Sequence, residues 1–230
     1  MTFQSERDIH HPILATGGMV ASQEAEATRV GVEILRAGGN AIDAAVGTGF
    51  ALAVTLPRAG NVGGGGNMVG FLAEGRRTVA IDYREQAPGA ARPELFWKAD
   101  GSLDLNKQLQ GYLAPATPGT VAGFAHMLEH WGTLPWADVI QPAIRLAEEG
   151  IRVTPDLADS LELYQDLLRI SEPGRGIYFR ADGRPHAFGD LWLQPALGRT
   201  LRTLANEGPR AFYEGGIGQR IVADLQAHGG

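Results

Sequence analysis

The chain has 230 residues, 44% of them apolar and 20% charged, with a formal net charge of −6 and no cysteine. That length suits one large domain or two small ones around an ordinary core, and the composition leaves no case for disorder. Disulfides and thiolate metal sites are excluded. The acidic balance argues against a nucleic-acid partner, and no window approaches the run of about 18 apolar residues that would cross a membrane.

The N-terminal stretch MTFQSERDIHHP carries Glu6 and Asp8 and lacks an apolar stretch, so residues 1–16 read as a polar leader and not as a signal peptide. Gly17 to Ser22 is short, small and apolar, and is expected as a strand. Gln23 to Ala37 predicts a helix, with Glu24 and Glu26 favouring the positive end of its dipole and Gly38-Gly39 stopping it. Asn40 is placed to cap a second helix, Ala41 to Thr55, which is apolar nearly all round and therefore buried on most sides. Gly47 and Gly49 inside it each lower helix propensity by about 1 kcal/mol, which points to another element crossing closely there.

Four consecutive glycines, Gly63 to Gly66, lead into a predicted β-hairpin. Its first strand is Met68 to Ala73, its turn Glu74-Gly75-Arg76-Arg77 and its second strand Thr78 to Ile81. A nucleotide-binding P-loop needs Lys and Ser or Thr directly after the glycines, opening a helix. Asn67-Met68-Val69 follow instead, so the glycines are read as permitting close backbone approach, to the chain itself or to a ligand. The second strand delivers Asp82-Tyr83-Arg84-Glu85 to a strand end. Arg84 is the candidate binding residue there, because a planar guanidinium suits bidentate recognition of a carboxylate. The competing expectation for Arg84 is a salt bridge to Glu85 or Asp82.

Beyond the hairpin, Leu95 to Gln108 reads as polar loop. Pro115 to Thr120 turns into a helix, Val121 to Trp131, and another follows from Trp136 to Glu149. Thr154 and Pro155 open a helix through Leu168, Ser171 to Gly176 reads as a mobile break, and Leu191 to Asn206 and Ile217 to Ala227 read as helices. Two strands do not make a self-sufficient sheet, so the hairpin is expected to need strands from elsewhere. His126-Met127-Leu128-Glu129-His130 spells H-x-x-E-H, a zinc-peptidase pattern, but no third ligand follows on a matching helix. These are expected as surface histidines, and no metal or cofactor is expected. Trp131, Trp136 and Trp192 are expected as core or helix-contact aromatics.

Several segments together resemble the γ-glutamyltransferase (γ-glutamyltranspeptidase, glutathione hydrolase) family: GGMVASQEAEATRVGVEILRAGGNAIDAAV, LPRAGNVGGGGNMVGF, AIDYREQAP, ATPGTVAGF, GTLPWADVIQPAIRLAEEG and GPRAFYEGGIGQRI. The resemblance runs from about Gly17 to the C-terminus. It implies an α/β (α+β) fold, the αββα sandwich of the N-terminal-nucleophile (Ntn) hydrolases. This chain supplies only part of it, as a partial large-subunit domain over residues 17–230. It further implies a precursor that cuts itself into two subunits. The new N-terminal Thr of the small subunit attacks a γ-glutamyl amide, such as that of glutathione, and the glutamyl group passes to water or an amino acid. Arg84 matches the family arginine that binds the substrate α-carboxylate.

The Thr-Thr-His nucleophile motif does not occur in this chain, so no catalytic residue is expected within it and the polypeptide alone is expected to be inactive. Loss of Met1 would expose Thr2, but Thr2-Phe3-Gln4-Ser5 does not match the motif. Asn67 stands where members commonly carry an aromatic and Gln86 where Met or Thr is usual. These departures keep a related amidase, such as a cephalosporin (glutaryl) acylase, as an alternative. A non-catalytic remnant that needs a partner chain is another. Many members are periplasmic or extracellular, and compartment is left open.

Overall fold

The computed structural model describes residues 14–230; most of the leader, including Thr2, His10 and His11, lies outside the described residues. Gly17 to Ser22, expected as a strand, joins no strand ladder among the described residues and runs irregularly into the first helix. Helix α1 spans Ala25–Arg36 and buries Ala27, Val30, Gly31 and Ile34, the spacing of one helical face.

Helix α2, Ala41–Thr55, is the central element. Val46, Phe50, Ala51 and Val54 have no exposed surface; full burial of one such large side chain contributes about 1.5–3 kcal/mol. The expected close crossings are present. A Cβ on Gly47 would lie 2.0 Å from the Ile34 side chain of α1, and one on Gly49 2.4 Å from the Phe124 ring. Asn40 caps α2 as expected, its Oδ1 accepting the Ile42 and Asp43 amides at 2.8 and 3.1 Å.

The hairpin has the predicted order. Strand β1, Asn67–Leu72, pairs antiparallel with β2, Arg77–Asp82, from Asn67↔Asp82 to Leu72↔Arg77. The turn is a short 3₁₀ segment, Glu74–Arg76, in which Gly75 takes φ +73°. Met68 and Ile81 pack against the core, whereas Val69 and Phe71 on the other face are 76% and 64% exposed. Among the described residues no further strand pairs with either edge.

The region read as polar loop, Leu95 to Gln108, is overlapped at its ends by a 3₁₀ turn, Pro93–Phe96, and a short helix α3, Leu105–Leu109. Helices α4, Thr120–Trp131, and α5, Trp136–Glu149, follow as expected, and Gly150 ends α5 at φ +87°. Strand β3, Ile151–Arg152, pairs with β4, Leu191–Trp192, a ladder the sequence reading did not contain. The helix expected from Leu191 begins instead at Pro195 as α9, because proline suits a first helical turn and Trp192 is drawn into the core.

The single helix expected from Pro155 to Leu168 breaks at Tyr164 into α6, Pro155–Leu163, and α7, Gln165–Leu168. The stretch Ser171 to Gly176 is not a break in the helical structure: Ser171 is an N-cap and Glu172 onward is helical. It forms most of α8, Glu172–Tyr178, with the Ser171 hydroxyl accepting the Gly174 amide at 3.1 Å. Helix α9 runs Pro195–Glu207, α10 is the short turn Arg210–Tyr213, and α11 is Gly216–Ala227. Trp131, Trp136 and Trp192 are core and helix-contact residues as expected: Trp131 and Trp136 pack against the core, Trp192 Nε1 donates to the Ile177 carbonyl at 2.9 Å, and Trp136 Nε1 to that of Leu204 at 2.7 Å.

Candidate functional site

The glycine run and the end of β2 form one structure. The ladder continues past β1 and β2 through the Tyr83 amide to the Gly66 carbonyl, 2.9 Å, and the Gly66 amide to the Tyr83 carbonyl, 3.3 Å. A Cβ on Gly65 would lie 2.5 Å from the Tyr83 carbonyl oxygen and 2.9 Å from Arg84 Cα. Gly65 is therefore needed because backbone lies against backbone there, and Gly66 because the Tyr83 side chain lies 2.9 Å from where its Cβ would stand.

The opposite side of the same segment is held by the turn that opens α4. Gln86 and Thr117 exchange both backbone hydrogen bonds, at 3.1 and 2.8 Å. The Gly119 and Thr120 amides converge on the Gly64 carbonyl at 2.7 and 2.9 Å, tying the turn to the glycine loop. Tyr83 is the keystone: its ring lies against Gly123, where a Cβ would come within 2.4 Å of Cγ, and edge-on to Phe124 at 5.9 Å. Burial raises the Tyr83 phenol pKa, so it stays neutral.

Tyr83 faces inward and Arg84 outward, as strand alternation requires. The Arg84 side chain is 62% exposed, and its Nη2 lies 3.2 Å from Glu85 Oε2. The Asp82 carboxylate accepts the Arg84 amide at 2.9 Å. Both acidic neighbours thus engage Arg84, one through its side chain and one through its backbone. Since a guanidinium carries five N–H donors, the Glu85 contact at one nitrogen leaves a face for a further carboxylate. Asn67 and Gln86 flank the segment, Asn67 paired with Asp82 and Gln86 with Thr117.

The histidine pair lies elsewhere. His126, Glu129 and His130 are exposed on α4, the two imidazole rings are 3.9 Å apart, and His130 Nδ1 lies 2.9 Å from the His126 carbonyl. No group of three potential metal ligands occurs among the described residues. Two surface clefts, one between α1 and α5 and one along α6 to α8, do not include Arg84. Sequence reasoning singled out the glycine loop, Arg84 and the turn from Pro115 to Thr120, but not that this turn closes on the Gly64 carbonyl, a backbone contact that leaves no pattern in the sequence.

Comparison with known proteins bears on this arrangement. Residues 27–230 match the family described as gamma-glutamyltranspeptidase. The chain is 45% identical over 231 residues to a glutathione hydrolase proenzyme of Escherichia coli (strain K12), covering 100% of this chain and 40% of that protein. It is 37% identical over 226 residues to the Acylase ACY 1 proenzyme of Pseudomonas sp. (strain V22), covering 95% of this chain and 40% of that one. Among solved structures, Helicobacter pylori gamma-glutamyltranspeptidase superposes with a TM-score of 0.92 at 38% identity, over 95% of this chain and 63% of that chain. The chain therefore spans about 40% of the length of the curated relatives named here. The solved neighbours are Ntn-hydrolases, and the mixed helix-and-strand architecture of this chain is part of that α+β fold. The chain belongs to the γ-glutamyltranspeptidase family.

Proposed function

We propose that this chain is the substrate-gripping part of the large subunit of an enzyme that cleaves γ-glutamyl amides such as glutathione, passing the glutamyl group to water or an amino acid. The observation that carries the reading is Arg84: an open guanidinium on a strand end clamped from both sides by backbone. A substrate α-carboxylate meeting it gains charge-assisted, bidentate contact. The nucleophile is an N-terminal threonine on a small subunit cut from the same precursor, outside this chain. Its α-amine takes the hydroxyl proton as the oxygen attacks the amide carbonyl; the C–N bond breaks, and the proton leaves with the departing amine. The resulting ester is opened by water or an acceptor amine.

The exposed Val69/Phe71 face and the unpaired hairpin edges support a partner that completes the sheet. The proenzyme relatives support its being the small subunit of the same precursor. The test is turnover of a γ-glutamyl anilide by the purified chain, alone and co-produced with the missing portion. Turnover only in the second case is expected. Ordinary enzyme rates from the chain alone would overturn the reading, as would inactivity of the assembled pair.

A second reading, a glutaryl amidase, is favoured by the similarity to Acylase ACY 1 and by Asn67 and Gln86 beside the site. A glutaryl group keeps the carboxylate that Arg84 would hold and lacks only the α-amine. The two readings therefore share Arg84 and differ in contacts supplied outside this chain. Comparing γ-glutamyl and glutaryl anilides on the assembled enzyme separates them.

A further inference from the structure

Tyr213 ends α10 and reaches back to the start of α4, 91 residues earlier in the chain. Its hydroxyl accepts the Ala122 amide at 3.0 Å and donates to the Pro118 carbonyl at 3.1 Å. Helix α4 has Gly119 at its N-cap position and no side-chain cap of its own. The first amides of a helix lack intrahelical partners, and here a phenol from a distant element satisfies one of them. Burial raises the Tyr213 phenol pKa, against the opposing pull of the Ala122 N–H, so the hydroxyl retains the proton it donates. Phe212 beside it is 4% exposed and anchors α10 in the core.

The turn so capped is the one that holds the Arg84 segment. Thr117 carries both hydrogen bonds to Gln86, and the Gly119 and Thr120 amides hold the Gly64 carbonyl. Pro118 sits between them, its carbonyl fixed by Tyr213. Removing the hydroxyl frees that carbonyl and the Ala122 amide together. The ring remains, and the core contact through Phe212 is untouched.

We infer that Tyr213 is a positioning residue for carboxylate recognition: by pinning the Pro118–Ala122 turn it holds the strand end from which Arg84 projects. The inference rests on the proposed role of Arg84. Tyr213 touches no substrate, so its loss widens the range of Arg84 orientations and weakens ground-state binding, leaving the threonine chemistry in place.

The experiment uses the assembled enzyme and two anilides that differ only in the α-carboxylate, γ-glutamyl and 4-aminobutyryl. The readout is the ratio of their kcat/KM values in the parent, Tyr213→Phe and Arg84→Met enzymes. Because each ratio is taken on one preparation, any fraction that has not folded cancels. Arg84→Met is expected to collapse the preference for the carboxylate-bearing substrate. Tyr213→Phe is expected to reduce it by about threefold to tenfold, through KM for the γ-glutamyl anilide, with kcat little changed. Collapse in Arg84→Met with an unchanged ratio in Tyr213→Phe overturns the inference and spares the reading of Arg84. An unchanged ratio in Arg84→Met overturns both. A Tyr213→Phe enzyme that is less heat-stable with an unaltered ratio shows a purely structural residue and likewise overturns the inference.

Discussion

Gly119 and Tyr83 stand so close that a Cβ on Gly119 would lie 2.0 Å from the Tyr83 carbonyl oxygen. The atom it would meet is backbone, already committed to the Gly66 amide, so it has little room to yield. Gly119→Ala is expected to destabilise the chain by about 1–3 kcal/mol, as overpacking does. Gly63→Ala in the glycine loop, where the nearest atom would lie 3.6 Å away, is expected to change stability by about 0.5 kcal/mol or less. Urea unfolding of both variants checks the contrast; equal effects would refute it.

The Arg84 side chain is mostly exposed, so its replacement is expected to act on binding and not on folding. Loss of a charge-assisted contact of about 1.5–3 kcal/mol corresponds to a KM increase of roughly 10- to 100-fold in Arg84→Met. Arg84→Lys keeps the charge without the planar fork and is expected to fall between Met and the parent. Steady-state kinetics of the assembled enzyme, with melting curves alongside, measure this.

Asp43 is fully buried at the start of α2. Its carboxylate accepts the Asn40 amide at 2.7 Å, the Thr133 amide and hydroxyl at 2.9 and 2.6 Å, and the Leu134 amide at 3.2 Å. One side chain thus closes the capping box of α2 and fastens the loop between α4 and α5. Asp43→Ala orphans these donors and is expected to lose about 3 kcal/mol or more, with Asp43→Asn losing less. Denaturant melts of the two variants give the order, and an Ala variant as stable as the parent would contradict it.

His186 is half-buried, its Nδ1 4.0 Å from Asp190, whose carboxylate lies 3.6 Å from Arg180. Burial lowers its pKa, Asp190 opposes this and Arg180 adds to it. The folded state therefore prefers the neutral ring. Above the unfolded pKa of about 6.5 both states are neutral and stability is full; as pH falls, the unfolded chain takes up its proton first and stability drops until the folded pKa is passed. His186→Gln is expected to flatten the fall in melting temperature between about pH 7.5 and pH 5. Parallel curves for parent and variant would rule this out.

Phe71 and Val69 stand exposed on the outer face of the hairpin, opposite Thr78 and Ala80. Phe71→Ser is expected to lower two separate readouts. It should reduce concentration-dependent association of the isolated chain and lower the yield of assembled enzyme. Light scattering and co-purification with the missing portion report the two effects; a drop in neither would argue against a covered face.

Local chemistry made much of this fold legible in advance. The apolar stripe of α1, the Asn40 cap of α2 and the Gly75 turn are each set by residues within a few positions of one another. Arg84 was legible as a candidate for the same reason, standing at the end of a strand that alternation could place. Matching segments along the chain also pointed to the family. The tertiary structure alone decided the rest: that Leu191–Trp192 pairs with Ile151–Arg152 and does not enter a helix, that the glycine loop and the α4 turn close on Tyr83, and that Tyr213 caps α4. Those outcomes depend on backbone amides and carbonyls finding each other, or a phenol, across long stretches of chain. Nearly every residue carries the same amide and carbonyl, so nothing in the side-chain order marks which of them will meet.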